Sequence, residues 1–206
     1  MPTQQEKPII FKSEMIRATL DGRKTQTRRL IKPRDPHKDC AWCYGRGHEY
    51  IDCGNELSGY DYRRPCRCCI PKCPYGRKGD LLYCRETWAV HPRFKTILYR
   101  ADGEEYDDAP GYGIWKPSWK PSIHMPKKYA RIWLELTADP IPQRLRDISA
   151  MDCIAEGIPR SNAIEVSQRA KEEKIWFQYL INKINGPGTW EKNPWVWKLE
   201  FKRIEK

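Results

Sequence analysis

No apolar run in the chain approaches the roughly 20 residues needed to cross a bilayer, which excludes a membrane-spanning helix. Met1–Lys7 is polar and carries no apolar stretch of a secretory signal, so a reducing cytoplasm is the expected setting. No segment repeats, and strands and helices do not alternate in a regular βαβ rhythm, so a doubly wound parallel sheet is not expected. Acidic residues are also in deficit: 27 Asp and Glu stand against 38 Lys and Arg, a net charge of +11. That surplus favours polyanionic partners, although the same charge also serves solubility alone. Aliphatic residues are modest, but nine Trp and eleven Tyr supply large buried areas per ring, enough for a sizeable core. A length of 206 residues suits one medium domain with an elaboration.

Along the chain, Pro8–Phe11 reads as a strand, and a helix follows with Ser13 as its N-cap and Gly22 as its stop. Met15, Ile16, Thr19 and Leu20 form its inner face. Leu81–Glu86 and Thr96–Arg100 read as strands, and Ala101–Trp119, rich in Asp, Gly, Pro and Tyr, as a long loop. Between Ala130 and Thr137, Ile132, Leu134 and Leu136 share one face of a half-buried strand. Ser149–Asp152 has the pattern of a capping box opening a short helix that Gly157 closes. A longer helix runs from about Glu165 to Asn182, with Ile175, Trp176, Phe177, Leu180, Ile181 and Ile184 directed to the core. After Gly186-Pro187-Gly188 comes a last strand in which Trp195, Trp197, Leu199 and Phe201 alternate with Val196, Lys198, Glu200 and Lys202. The sum is an α+β fold with a small mixed sheet or barrel and flanking helices.

Residues 34–74 differ in character, with apolar periodicity giving way to Cys, Gly, Arg and Tyr. Such an insertion has little core to offset its chain entropy, and a metal can supply what the core does not. Nine cysteines in a reducing compartment point the same way. A tetrahedral zinc takes two closely spaced pairs of thiolates, and Cys40 with Cys43, closed by Cys66 with Cys69, meets that need. Cys68 and Cys73 are alternatives in the second pair, with His37, His48 and Cys53 in reserve. Four sulfur ligands leave no open position, so the zinc is expected to be structural. Cys84 and Cys153 are expected to be small core residues.

The densest chemistry lies in Gly22-Arg23-Lys24-Thr25-Gln26-Thr27-Arg28-Arg29, where cations and a hydroxyl follow a helix end. Gly-x-Lys-x-x-Thr-x-Arg after a short helix resembles the signature of the ASCH domain, a branch of the PUA-like superfamily of small β-barrels. Pro74-Tyr75-Gly76 with Gly79-Asp80, Arg85-Glu86-Thr87-Trp88, Lys120–Pro126 and Asn193-Pro194-Trp195-Val196-Trp197 resemble the ASCH-type proteins of tailed bacteriophages and prophages. The resemblance covers most of the chain outside Pro33–Lys72 and Thr96–Gly113. It implies a single PUA-like domain carrying the zinc segment as an insertion, a monomer, and the cytoplasm of the host cell if a phage encodes it. Its implied partner is a nucleoside, RNA or single-stranded nucleic acid.

Some members of that family remove the acetyl group from N4-acetylcytidine with a Lys, a Thr and a Glu, which fall here on Lys24, Thr27 and Glu156. In that chemistry Thr27 attacks the acyl carbonyl and Lys24 takes its proton, provided that burial or a cation such as Arg28 lowers its pKa. Glu156 orients Lys24 or passes a proton to the leaving amine. Alternatively, a Lys24 kept charged by a carboxylate is only an anchor for phosphate or carbonyl. Arg23, Arg28, Arg29, Glu86, Trp88, Ser122 and His124 are the expected contacts to substrate or nucleic acid; for Trp88 and His124 a structural role competes. The functions that compete with hydrolysis are a non-catalytic RNA- or single-stranded-DNA-binding module and a phage accessory protein acting on a host factor.

Overall fold

The computed structural model describes residues 3–31, 72–103, 106–107 and 114–206; Cys40, Cys43, Cys66 and Cys69, with Cys53, Cys68, His37 and His48, lie outside them. The chain order is β1 (Glu6–Ile10), α1 (Ser13–Leu20), β2 (Gln26–Leu30), β3 (Leu81–Arg85), β4 (Trp88–Val90), β5 (Ile97–Tyr99), β6 (Tyr106–Asp107), β7 (Ile114–Trp115), β8 (Trp133–Leu136), β9 (Ile141–Arg144), α2 (Ala150–Ala155), α3 (Val166–Asn185), α4 (Thr189–Lys192) and β10 (Trp195–Ile204). The fold is α+β, as expected. Six strands make a curled half-barrel in the order β1-β3-β8-β10-β2, with β9 also on β10. Among the described residues the other strands form two-stranded ladders, β4 with β5 and β6 with β7. No helix among the described residues is long and apolar enough to cross a membrane.

The ten-residue β10 organises the sheet. Its first half pairs with β2 on one edge and β9 on the other, and its second half pairs with β8. Leu136 faces Phe201 and Ile141 faces Lys198, so five steps along β8–β9 match three along β10. The excess falls at Thr137–Pro140, where Pro140 has no N–H to give a ladder, and the edge opens there. Bulged edges of this kind let a sheet curl.

Two cores lie on opposite faces of β10. Inside the curl, Ile9, Phe11, Leu82, Ile132, Leu134, Leu136, Leu199 and Phe201 pack with Ile16 of α1. On the outer face, Val196 meets Leu145, Ile148, Cys153, Ile158, Phe177 and Ile181 beneath α2 and α3. Each fully buried aliphatic side chain contributes roughly 1.5–3 kcal/mol. Ile132, Leu134 and Leu136 share the buried face as their alternation predicted, and Cys84 and Cys153 are core residues.

Four readings of local pattern need correction. Val196, expected among the outward residues of β10, is fully buried because the helices cover that face too. Ile175 and Trp176, expected in the core, are 62% and 58% exposed, since α3 buries only the stripe Glu173, Phe177 and Ile181. Ser13 is the first residue of α1 rather than its cap; Lys12 holds that position without a side-chain hydrogen bond. A short helix, α4, fills part of the turn before β10.

Candidate functional site

The site is assembled by two short helices that meet end to end. Ser149 and Asp152 close a reciprocal capping box at the start of α2, which sets the direction of that six-residue helix. Glu156 sits at its C-cap and Gly157 follows with φ +93°. A Cβ on Gly157 would stand 2.8 Å from Cβ of Ala18 and 3.2 Å from Cβ of Lys24, so the end of α1 packs here only against glycine. Lys24 N–H donates to Ala18 O at 2.9 Å and folds the chain back on the end of α1, and Thr25 N–H donates to Ala155 O at 2.8 Å and docks it on α2. Lys24 is thereby brought to Glu156.

Lys24 is buried, and its ammonium donates to Glu156 Oε2 at 2.8 Å, Glu156 O at 2.8 Å and Gln26 O at 2.7 Å. These contacts use all three donors of an ammonium. Arg28 Nη1 donates to the other oxygen, Glu156 Oε1, at 3.1 Å. Arg28 Nη2 stands 3.2 Å from Asp152 Oδ2 as an ion pair without an aligned hydrogen bond. Lys198 Nζ approaches the second oxygen of Asp152 at 3.3 Å and Glu200 Oε1 at 2.9 Å. A continuous chain of charge therefore runs from the buried Lys24 to the surface. Burial pushes the Lys24 amine below its ordinary 10.5, Glu156 opposes, and the Arg29 and Arg28 cations add to the fall. Asp152 is held below its usual range by Arg28, Ser149 and Lys198, against burial, which raises it.

Strand alternation separates the rest of the motif. Arg28 pairs with Lys198 and points to α2, whereas Thr27 pairs with Leu199 and Arg29 with Trp197, toward the inside of the curl. Thr27 is 1% exposed, and its hydroxyl has no hydrogen-bond partner among the described residues. It follows Gln26, whose carbonyl already holds Lys24 Nζ. Arg29 donates to Ile10 O at 2.5 Å and lies 5.5 Å over the Phe11 ring, and its Nε has no partner among the described residues. Burial lowers the Arg29 guanidinium. Arg23 lies outside, donating to Gly157 O at 3.1 Å and Asp21 at 2.9 Å. Arg28 is thus buried against the carboxylates of α2, whereas Arg29 is partly buried and bonded to the β1 backbone.

Glu86, Trp88, Ser122 and His124 belong to the opposite flank. Glu86 gives both oxygens to Arg131 at 2.9 Å each, and Arg131 also clamps Asp102 at 2.7 and 2.8 Å. Burial raises the Glu86 carboxyl against the pull of Arg131. Trp88 is buried beside Tyr129 (5.2 Å between centroids) under Lys120 Nζ (4.9 Å), and its indole N–H has no hydrogen-bond partner among the described residues. Ser122 and His124 lie on a 3₁₀ turn, half-buried and exposed respectively. Cys84 sits between the flanks: burial and Glu86 raise its thiol far above its usual value, while Arg29 and Lys24 oppose.

Asp152, Arg131 and Gly157 are the site residues that pattern reading passed over. Asp152 was visible only as a cap, Arg131 only as an outward strand residue, and Gly157 only as a stop. A cleft of about 450 Å³ lies between α1, Glu156–Pro159 and α3, with Trp176, Tyr179 and Lys183 on its far wall. Among the described residues no group of three His, Cys, Asp or Glu could hold a metal. Cys73, the described member of the alternative zinc ligands, is half-buried against the inner core, and burial raises its thiol. Comparison with protein-family models, curated proteins and solved structures finds no match for this chain.

Proposed function

We propose that the chain is an ASCH-type protein with a PUA-like fold that binds a nucleoside or nucleic acid and hydrolyses an N4-acyl amide on cytidine through Lys24, Thr27 and Glu156. Two observations support the reading: a buried Lys24–Glu156 ion pair, 2.8 Å long and joining residues 132 positions apart in sequence, and a buried Thr27 hydroxyl, three residues from Lys24, with no hydrogen-bond partner among the described residues. An unsatisfied buried hydroxyl costs about 1–3 kcal/mol, and a substrate carbonyl is a partner that would offset this.

Thr27 Oγ bonds to the acyl carbon while its proton passes to the neutral amine of Lys24. The tetrahedral intermediate breaks its C–N bond, and the exocyclic amine of the base leaves with that proton. Water then cleaves the Thr27 ester, which releases the carboxylic acid and restores the hydroxyl. Glu156 Oε2 orients Lys24, and burial shifts the amine toward its neutral form. Incubation with N4-acetylcytidine should yield cytidine, and Thr27→Ala and Lys24→Ala should each lose at least about 10²–10⁴-fold in kcat/KM. Full activity in either variant would remove the mechanism.

One observation favours the non-catalytic binding module: the three acceptors around Lys24 Nζ suit a permanently charged structural lysine. In that case no cytidine forms, and RNA or single-stranded DNA binds with steep salt dependence. The zinc proposal is separate. A structural ion on Cys40, Cys43, Cys66 and Cys69 would stabilise the inserted segment, and zinc content should fall in Cys40→Ser.

A further inference from the structure

We propose that Arg28 and Asp152 are positioning residues of the site: Arg28 holds Glu156 Oε1 so that Oε2 faces Lys24, and Asp152 sets how strongly Arg28 does so. The proposal deepens the hydrolase reading and rests on it, but its test does not need turnover.

The geometry is a relay of shared charges. One carboxylate, Glu156, is divided between two buried cations, with Lys24 on Oε2 at 2.8 Å and Arg28 on Oε1 at 3.1 Å. The side chains of Lys24 and Arg28 are both wholly buried and that of Glu156 is 3% exposed, so water does little to screen the contest. Whatever Arg28 takes of the Glu156 charge is lost to the ammonium of Lys24. Asp152 competes from the other side for Arg28 at 3.2 Å, and is itself steadied by Lys198 at 3.3 Å. Its backbone is fixed by the capping box of the helix whose far end presents Glu156. Position 152 thus couples helix direction to the electrostatics of the amine. Among the described residues Arg28 Nε and Nη2 have no aligned acceptor, as expected of a guanidinium held between two carboxylates rather than seated on one.

The groups facing Lys24 are Glu156 from the end of α2, Arg28 and Arg29 from β2, Cys84 from β3 and the Phe11 ring at 5.4 Å. Removing a cation from this set must raise the titration midpoint of Lys24. Removing an anion must lower it. A role confined to packing predicts something else: either substitution would loosen and hydrate the site, moving Lys24 toward ordinary lysine in both cases.

The test is an NMR titration of the Lys24 Cε methylene in protein carrying ¹³C-labelled lysine, assigned by its loss in Lys24→Met, with folding followed by circular dichroism. In Arg28→Gln the midpoint should rise by about one pH unit or more, and Arg28→Lys should return most of that shift. In Asp152→Asn, which keeps the oxygen that caps α2, the midpoint should fall below wild type. Should Arg28→Gln fail to fold, the fall in Asp152→Asn still decides the matter. A midpoint that rises or stays in place in Asp152→Asn overturns the proposal. These shifts without formation of cytidine from N4-acetylcytidine would remove the hydrolase reading and keep the charge relay. Turnover without the opposed shifts would do the reverse.

Discussion

Two buried glutamates, Glu156 and Glu86, are each gripped by an arginine, yet the two networks are built to opposite plans. Around Glu86 there are two carboxylates to one guanidinium: Arg131 makes paired bonds to Glu86 and to Asp102, and lies 4.0 Å over the Tyr99 ring. Its donors are nearly all matched, and the result ties β3 and the β5 end to β8. Around Glu156 one carboxylate serves two cations, Asp152 shares Arg28, and among the described residues the Thr27 hydroxyl and two Arg28 nitrogens have no aligned partner. A satisfied network is a clamp. A network with more donors than acceptors has capacity left for a ligand. Glu86 was expected to touch substrate; both its oxygens are engaged by Arg131.

The largest effect that tests this contrast is on stability. Glu156→Gln leaves the buried Lys24 ammonium without a carboxylate and Arg28 with Asp152 alone, and should cost about 3–5 kcal/mol by denaturant unfolding. Glu86→Gln leaves Arg131 with Asp102 and should cost less, about 1–3 kcal/mol. An inverted order would break the comparison. Next comes Gly157→Ala, at about 1–3 kcal/mol, because its Cβ meets Ala18 at 2.8 Å in a backbone conformation that L-residues resist. The same variant should lose much of any N4-acetylcytidine turnover, since α1 can no longer bring Lys24 to Glu156.

A smaller effect is a pH dependence of defined sign. Folding lowers the Lys24 amine below 10.5, so between the two values the unfolded chain binds the extra proton, and stability rises with pH. The stability of wild type relative to Lys24→Met should therefore improve as pH is raised toward 10.5; a difference that is flat or falls would show that the folded amine is not depressed. The smallest expected change is Trp176→Ser. Despite the size of the lost ring, its 58% exposure predicts a stability change within about 0.5 kcal/mol.

Much of the scaffold could be read from residue order because its signals are local. The alternation Ile132, Leu134, Leu136, the capping box at Ser149 and Asp152, and the chain reversal at Gly22 each depend on spacing within a few residues. Lys24, Thr27 and Glu156 were likewise nominated by motif. Ile175, Trp176 and Val196 misled for one reason: an apolar residue announces that it can be buried, not that a neighbour covers it. Trp176 lies off the narrow stripe that α3 presents, and Val196 is covered only because α2 and α3 fold over β10. Arg28 and Arg29 were expected to contact substrate or nucleic acid, since nothing local reveals that a carboxylate from residue 156 and a carbonyl from residue 10 accept their hydrogen bonds.

Residue order by itself determined the capping box of α2, the buried face of β8, the overall positive charge and the grouping of an amine, a hydroxyl and two guanidiniums within six positions. Only the tertiary structure decided which of them share a carboxylate, which point into the curl, and that Lys24 is an ion-paired buried amine rather than a solvated one. The physical reason is range: capping and alternation act over one to four residues, whereas desolvation and charge pairing depend on whatever the fold brings within a few ångströms.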